Sequence, residues 1–120
     1  MIVQYLKGKI HRATVTDANL DYEGSITIGR ELIAAAGFTP YERVEIYNVT
    51  NGERFATYVI EGPPRTICIN GAAAWKARKN DIIIIASYCS LDREEALRHV
   101  PTLVYVDETN TVKSLSRHPL

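Results

Sequence analysis

Tyr22-Glu23-Gly24-Ser25 is the stretch of this 120-residue sequence whose residue types carry the most specific chemistry. A serine hydroxyl lies within reach of the carbonyl carbon of the residue before it. If the fold strains that peptide and polarises its carbonyl, Ser25 Oγ attacks and the Gly24–Ser25 amide becomes an ester. Glycine on the carbonyl side removes the Cβ that would obstruct attack and tolerates unusual backbone angles. Elimination of the ester releases a segment ending at Gly24 and leaves dehydroalanine, which hydrolyses to a pyruvoyl group and ammonia. The product is a ketone fixed at a new N-terminus. The plain alternative is a turn dipeptide, which is what most Gly-Ser pairs are.

Other catalytic signatures are missing. There is no phosphate loop, no G-x-S-x-G elbow, no H-E-x-x-H, and no Cys or His cluster with ligand spacing. The expectation is therefore no metal. His11, His99 and His118 are scattered; the latter two read as surface residues and His11 as structural. Cys68 and Cys89 lie in apolar, strand-like stretches without Cys-x-x-Cys spacing, as reduced, packed thiols of a cytoplasmic protein do.

Strand signals dominate the elements that must position Ser25. Lys9 to Val15 and Arg43 to Val49 alternate partly, and Asn51-Gly52 is a type I′ hairpin signal joining the latter to Arg54 to Ile60. On that second arm Arg54, Ala56 and Tyr58 share one face and Thr57 the other. Gly62-Pro63-Pro64 ends the arm, Arg65 to Ile69 restarts a strand, and Asp81 to Cys89 reads as a buried central strand. Helices are short: Arg30 to Ala36 stopped by Gly37, a turn or two over Ala72 to Ala77, and Asp92 to His99 with a capping-box pattern and Pro101 beyond. Thr102 to Val106 is a last strand, and the tail from Asp107 is polar and expected to be loosely held. Many short strands with little helix indicate a small, closed β-barrel.

Composition limits the function classes. The length fits one domain, 1–120, and apolar residues make up 46%, enough for a core. Fourteen basic residues balance fourteen acidic ones, which argues against a nucleic-acid binder. The longest apolar run, Ile82 to Ala86, is strand-sized, and the N-terminus lacks a secretory signal, so no membrane and a cytoplasmic location are expected.

The chain resembles the bacterial aspartate 1-decarboxylases. The matching segments run in the family's order: Lys7-Gly8-Lys9-Ile10-His11-Arg12, Tyr22-Glu23-Gly24-Ser25, Tyr47 to Tyr58, Asn70-Gly71-Ala72-Ala73-Ala74, and Asp81 to Tyr88. They cover most of the first 90 residues; the part beyond about Leu91 carries little of the likeness. Tyr47 stands where some members carry tryptophan, and Trp75 is not a position where the family demands one.

The resemblance implies a six-stranded double-psi β-barrel, a homotetramer with active sites between neighbours, and cleavage into a β chain (1–24) and an α chain (25–120). Ser25 would become the pyruvoyl cofactor, without metal or pyridoxal phosphate. L-Aspartate would condense with it as a Schiff base and leave as β-alanine and CO2, feeding pantothenate and coenzyme A synthesis; the sequence leaves open whether cleavage is spontaneous or uses an accessory maturation protein. By the same likeness Tyr58 is the proton donor, against the plain reading of a core tyrosine. Thr57 assists cleavage near the Gly24 carbonyl and later touches substrate, or is an ordinary strand threonine. Arg54 is a carboxylate clamp, since guanidinium binds carboxylates in a bidentate fork, or a solvated hairpin arginine. Lys9 adds a second positive charge or is a surface lysine. Gly71, Ala72 and Ala73 contact substrate through small side chains and helix-opening amides, or form a close-packed turn. Tyr22 and Asn70 line the site or support processing, although Asn70-Gly71 is also plain turn chemistry.

Two readings compete with the enzyme. One is an uncleaved, non-catalytic β-barrel for binding or assembly; the other is a DNA-binding factor on a related barrel, which the zero net charge disfavours.

Overall fold

The computed structural model describes residues 1–23 and 25–117. In chain order the elements are β1 (Val3–Thr14), β2 (Asp17–Asn19), β3 (Ile26–Gly29), α1 (Arg30–Ala36), β4 (Arg43–Asn48), β5 (Arg54–Gly62) and β6 (Ile67–Asn70). A 3-10 helix (Gly71–Trp75), β7 (Ile82–Leu91), α2 (Arg93–Arg98), β8 (Thr102–Val106) and β9 (Val112–Ser116) follow. The protein is mainly β, as the strand signals require. Among the described residues the strands number nine rather than six, in the order β2-β6-β3-β5-β4-β7-β1-β8-β9.

The order has a consequence for shape. β1 pairs with β7 down to Thr14↔Ile82, and β2 pairs with β6 from Asp17↔Cys68. The two residues between them stay bonded, Val15 N to Asp81 O at 2.9 Å and Thr16 N to Ile67 O at 2.7 Å. One extended segment therefore touches both β7 and β6, although these lie well apart in the strand order. Fully buried Ile10, Ile26, Ile28, Val44, Ile46, Ile67, Ile69, Ile83 and Ile85 form the core. β-Branched side chains suit this role because they pack well on pleated surfaces.

The predicted helices form with small changes. α1 buries Leu32, Ile33 and Ala36 and ends on Gly37 at φ 73°, whose amide reaches Ala34 O. A left-handed residue there needs no Cβ. α2 carries the expected capping box, with Asp92 and Glu95 each accepting the other's amide. The alanine run, by contrast, makes five residues of 3-10 helix.

Several expectations are corrected. The Asn51-Gly52 hairpin is not a two-residue type I′ turn: Gly52 alone of the pair has positive φ. The loop is longer because the Asn48 side chain organises it, accepting from Thr50 N at 2.9 Å and Asn51 N at 3.2 Å. The described part of the tail, to residue 117, is not loose, since β9 pairs antiparallel with β8. Asn110, 1% exposed, seals the turn before β9 by accepting from Thr14 N and donating to Thr14 O and Arg65 O. Short β2 and β3 were not visible in the pattern at all. No helix among the described residues is long and apolar enough to cross a membrane.

Candidate active site

Register places Ser25. β3 lies between β5 and β6, with Ile26 opposite Val59 on one side and Ile69 on the other. One step back along each pair, Ser25 falls between Tyr58 and Asn70, and Asn70 N donates to Ser25 O at 2.8 Å. Ser25 is 3% exposed, and its Oγ has no hydrogen-bond partner among the described residues. Buried hydroxyls are normally satisfied, so an orphan calls for an explanation. Gly24, the other half of the predicted cleavage pair, lies outside the described residues, as does its carbonyl, the expected partner of Thr57. His118 lies outside them too.

Ser25 opens onto a cleft of about 400 Å³. Thr57 and Tyr58 from β5, Asn70 from the end of β6, and Ala72 and Ala73 from the 3-10 helix line it. Gly71 is not part of the lining; its φ of 64° turns the chain from β6 into the 3-10 helix. Asn70 is 2% exposed and its amide is fixed, accepting from Cys68 Sγ at 3.1 Å and donating to Thr27 Oγ1 at 2.9 Å. Both cysteines are free thiols, and burial pushes the Cys68 thiol up. Tyr22 lines a neighbouring cleft of about 540 Å³ that shares Asn70 as a wall. Phe55 and Lys76 also line the Ser25 cleft, and sequence reasoning missed both. Lys76 Nζ reaches Glu53 Oε2 at 2.9 Å. No motif marked it, because it depends on how the 3-10 helix ends.

Two predicted residues stand apart from the cleft. Arg54 begins β5, on the same exposed face as Ala56 and Tyr58, as alternation predicts. Four residues of strand separate it from Tyr58, roughly 13 Å. It borders a different hollow, of about 230 Å³, with its guanidinium 4.4 Å over the Tyr47 ring. Lys9 sits three strands away from Ala56 along one row, Lys9↔Ala86, Ala86↔Glu45, Glu45↔Ala56. Its Nζ lies 3.3 Å from His11 Nδ1. Burial, then the charges of Lys9, Arg12 and Lys113, hold His11 below its ordinary 6.5, so the neutral ring can accept that bond. His99 is not the plain surface residue expected: its Nε2 lies 2.6 Å from Leu6 O.

Within this chain, then, Ser25, Thr57, Tyr58, Asn70, Ala72 and Ala73 converge, while Lys9, Arg54, Tyr22 and Gly71 do not line the same cleft. The assembled set offers an unpartnered nucleophile, a phenol, and space beside small side chains for a small ligand. No cluster of three or more His, Cys, Asp or Glu side chains that could hold a metal exists among the described residues.

Comparison with known proteins identifies the family. The profile of the family described as aspartate decarboxylase matches residues 1–113. A protein named aspartate 1-decarboxylase from Syntrophus aciditrophicus is 59% identical over 110 residues, covering 90% of this chain and 95% of its own. Its namesake from Bdellovibrio bacteriovorus is 54% identical, covering 93% of this chain and 90% of its own. The one from Caulobacter vibrioides is 51% identical, covering 94% and 98% respectively. With a match spanning nearly its whole length, the chain belongs to the aspartate decarboxylase family.

Proposed function

We propose that this protein decarboxylates L-aspartate to β-alanine and CO2, using a pyruvoyl group made from its own Ser25 by cleavage after Gly24. The observation that carries the reading is the buried Ser25 hydroxyl, without a hydrogen-bond partner among the described residues, in the lining of a cleft shared with Thr57, Tyr58 and two alanines. A hydroxyl with no competing hydrogen bond is available to the carbonyl next to it. A ketone at position 25 would find small neighbours in Ala72 and Ala73 and room for a four-carbon amino acid. When present, the pyruvoyl group supplies a carbonyl for the substrate amine and an electron sink for the loss of CO2.

The chain's own residues do the rest. Asn70 holds the Ser25 backbone through its amide, and its side chain is in turn held by Cys68 and Thr27. Tyr58, which falls opposite Ser25 when the β3–β5 register is extended by one pair, delivers the proton that replaces the lost carboxylate. Thr57 borders both cleavage point and substrate.

Arg54 and Lys9 are the carboxylate-binding cations, reached from a neighbouring copy. A four-carbon substrate cannot span the roughly 13 Å of strand from Tyr58 to Arg54. We therefore assign the clamp to Arg54 of the partner subunit in a homotetramer. The six-stranded double-psi barrel is the compatible fold: β1 and β2 counted as one broken strand, with β3 to β7, make six, and the Val15 and Thr16 bonds support closure. β8 and β9 are then additions outside β1. The single domain 1–120 matures into 1–24 and 25–120, in the cytoplasm, with or without a maturation protein, and its β-alanine supplies pantothenate and coenzyme A synthesis.

Incubation with L-aspartate labelled at the α-carboxylate tests the reaction. Labelled CO2 and β-alanine in equal amounts are expected; release of neither from processed protein would refute it.

A further inference from the structure

Four of the fourteen lysine and arginine side chains pair with carboxylates among the described residues. Lys7 is paired with Glu42 at 2.8 Å, Lys76 with Glu53 at 2.9 Å and Arg43 with Glu45 at 3.3 Å. Arg54 differs. It enters no ion pair among the described residues, and lies instead over the face of Tyr47, its direct cross-strand neighbour. A ring orients a guanidinium without occupying the edge that binds a carboxylate in two parallel hydrogen bonds.

Tyr47 is itself braced from the next strand. Its hydroxyl meets that of Tyr88 at 2.6 Å, a short bond reaching from β4 to β7. Register explains the reach: Tyr47 lies opposite Ile84 and Glu45 opposite Ala86, so Tyr88 is one pair further along the same face. The two rings lean toward each other past Ala86, which offers no bulk in the way and is 1% exposed. Burial first, then the Tyr88 bond, pushes the Tyr47 phenol up to about 12, so Tyr47 stays neutral beneath Arg54.

We infer that Tyr88 is a positioning residue for substrate binding: its hydroxyl fixes the Tyr47 ring, and the ring holds Arg54 ready for a substrate carboxylate. The inference rests on the reading of Arg54 as the carboxylate clamp. An exposed arginine has considerable rotamer freedom to lose on binding, and a stacked one has already lost much of it. Tyr88 acts through two other side chains and touches no reacting atom, so its removal weakens binding and leaves the chemical step alone.

The test is steady-state kinetics on the processed enzyme, with succinate, a dicarboxylate lacking the amine, as competitive inhibitor. Tyr88→Phe keeps the ring and removes only the hydroxyl. It is expected to raise KM for aspartate and Ki for succinate about fivefold, the worth of one hydrogen bond, with kcat within about twofold. Tyr47→Phe should do the same, and the double variant should match either single one, since each breaks the same bond. Additive effects, or Tyr88→Phe leaving KM and Ki unchanged while Arg54→Ala raises both more than about tenfold, would overturn the Tyr88 role and leave the clamp standing. Arg54→Ala leaving both constants unchanged would instead remove the clamp reading, and the Tyr88 role with it.

Discussion

Ser25 and Ser87 are both buried, 3% and 2% exposed, yet they live opposite lives. Ser87 Oγ donates to the Glu42 carboxylate in a short hydrogen bond. That carboxylate is held on every side: Lys7 Nζ donates to both its oxygens, at 2.9 and 2.8 Å, and Thr39 N and Oγ1 reach it at 3.0 and 3.2 Å. Lys7 also caps Gly37 O at the end of α1. The cluster ties β1, α1 and β7 together and leaves nothing unsatisfied. Ser25, equally buried, has a hydroxyl bonded to none of the described residues. Of these two hydroxyls, the one that holds the fold is satisfied and the one read as the nucleophile is left open, a state it shares with Thr14 Oγ1 and Glu31 Oε2.

The sharpest way to break the comparison is to remove each hydroxyl. Ser25→Ala should abolish chain cleavage and β-alanine formation altogether, while leaving the denaturation midpoint equal to or above that of the uncleaved parent, because an orphan hydroxyl is lost. Loss of folding instead would show that Ser25 is structural. Next in size, Tyr58→Phe should cleave normally but turn over aspartate about 10²–10⁴-fold more slowly, the usual worth of a positioned proton donor. A mass spectrum and a β-alanine assay on the same preparation separate the two effects, and unimpaired turnover would transfer the role elsewhere.

On the satisfied side, Glu42→Gln should cost about 2 kcal/mol in urea unfolding, since it leaves Lys7 without its counter-charge and weakens the Ser87 bond. Its pH dependence sharpens the point. Burial raises the Glu42 carboxyl, but the Lys7 and Ser87 hydrogen bonds, the Lys7 charge and the Thr39 amide outweigh it and hold it below its ordinary 4.5. A depressed carboxyl contributes stability that is present above 4.5 and lost as pH falls through the folded value. The two proteins should therefore converge in stability below pH 4.5, and a gap constant with pH would contradict this account.

Much of this contrast was legible in the sequence, though unequally. The helix stop at Gly37, the Asp92–Glu95 cap and the Arg54/Ala56/Tyr58 face follow from local rules of backbone geometry and periodicity. Ser25 and Gly24 were legible as chemistry, because adjacency in sequence is adjacency in space for an acyl shift. The parts that stayed hidden depend on distant partners. Asn110 falls in the tail read as loosely held, and only the fold brings it to Thr14, ninety-six residues away. Lys76 enters the cleft only through the short 3-10 helix, and the Tyr47–Tyr88 brace only through the β4–β7 register. The spacing of Arg54 along β5 was readable; that it borders a different hollow from Ser25 was not, because a strand pattern gives faces and not what lies at each end of them.

The most direct test of the account is an intact mass spectrum of the purified, denatured protein. Two species are predicted, one ending at Gly24 and one beginning at residue 25 with a pyruvoyl group in place of serine. A single uncleaved chain, persisting after prolonged warm incubation and in lysate of the native host, would contradict the central claim that the open hydroxyl of Ser25 is the source of the cofactor.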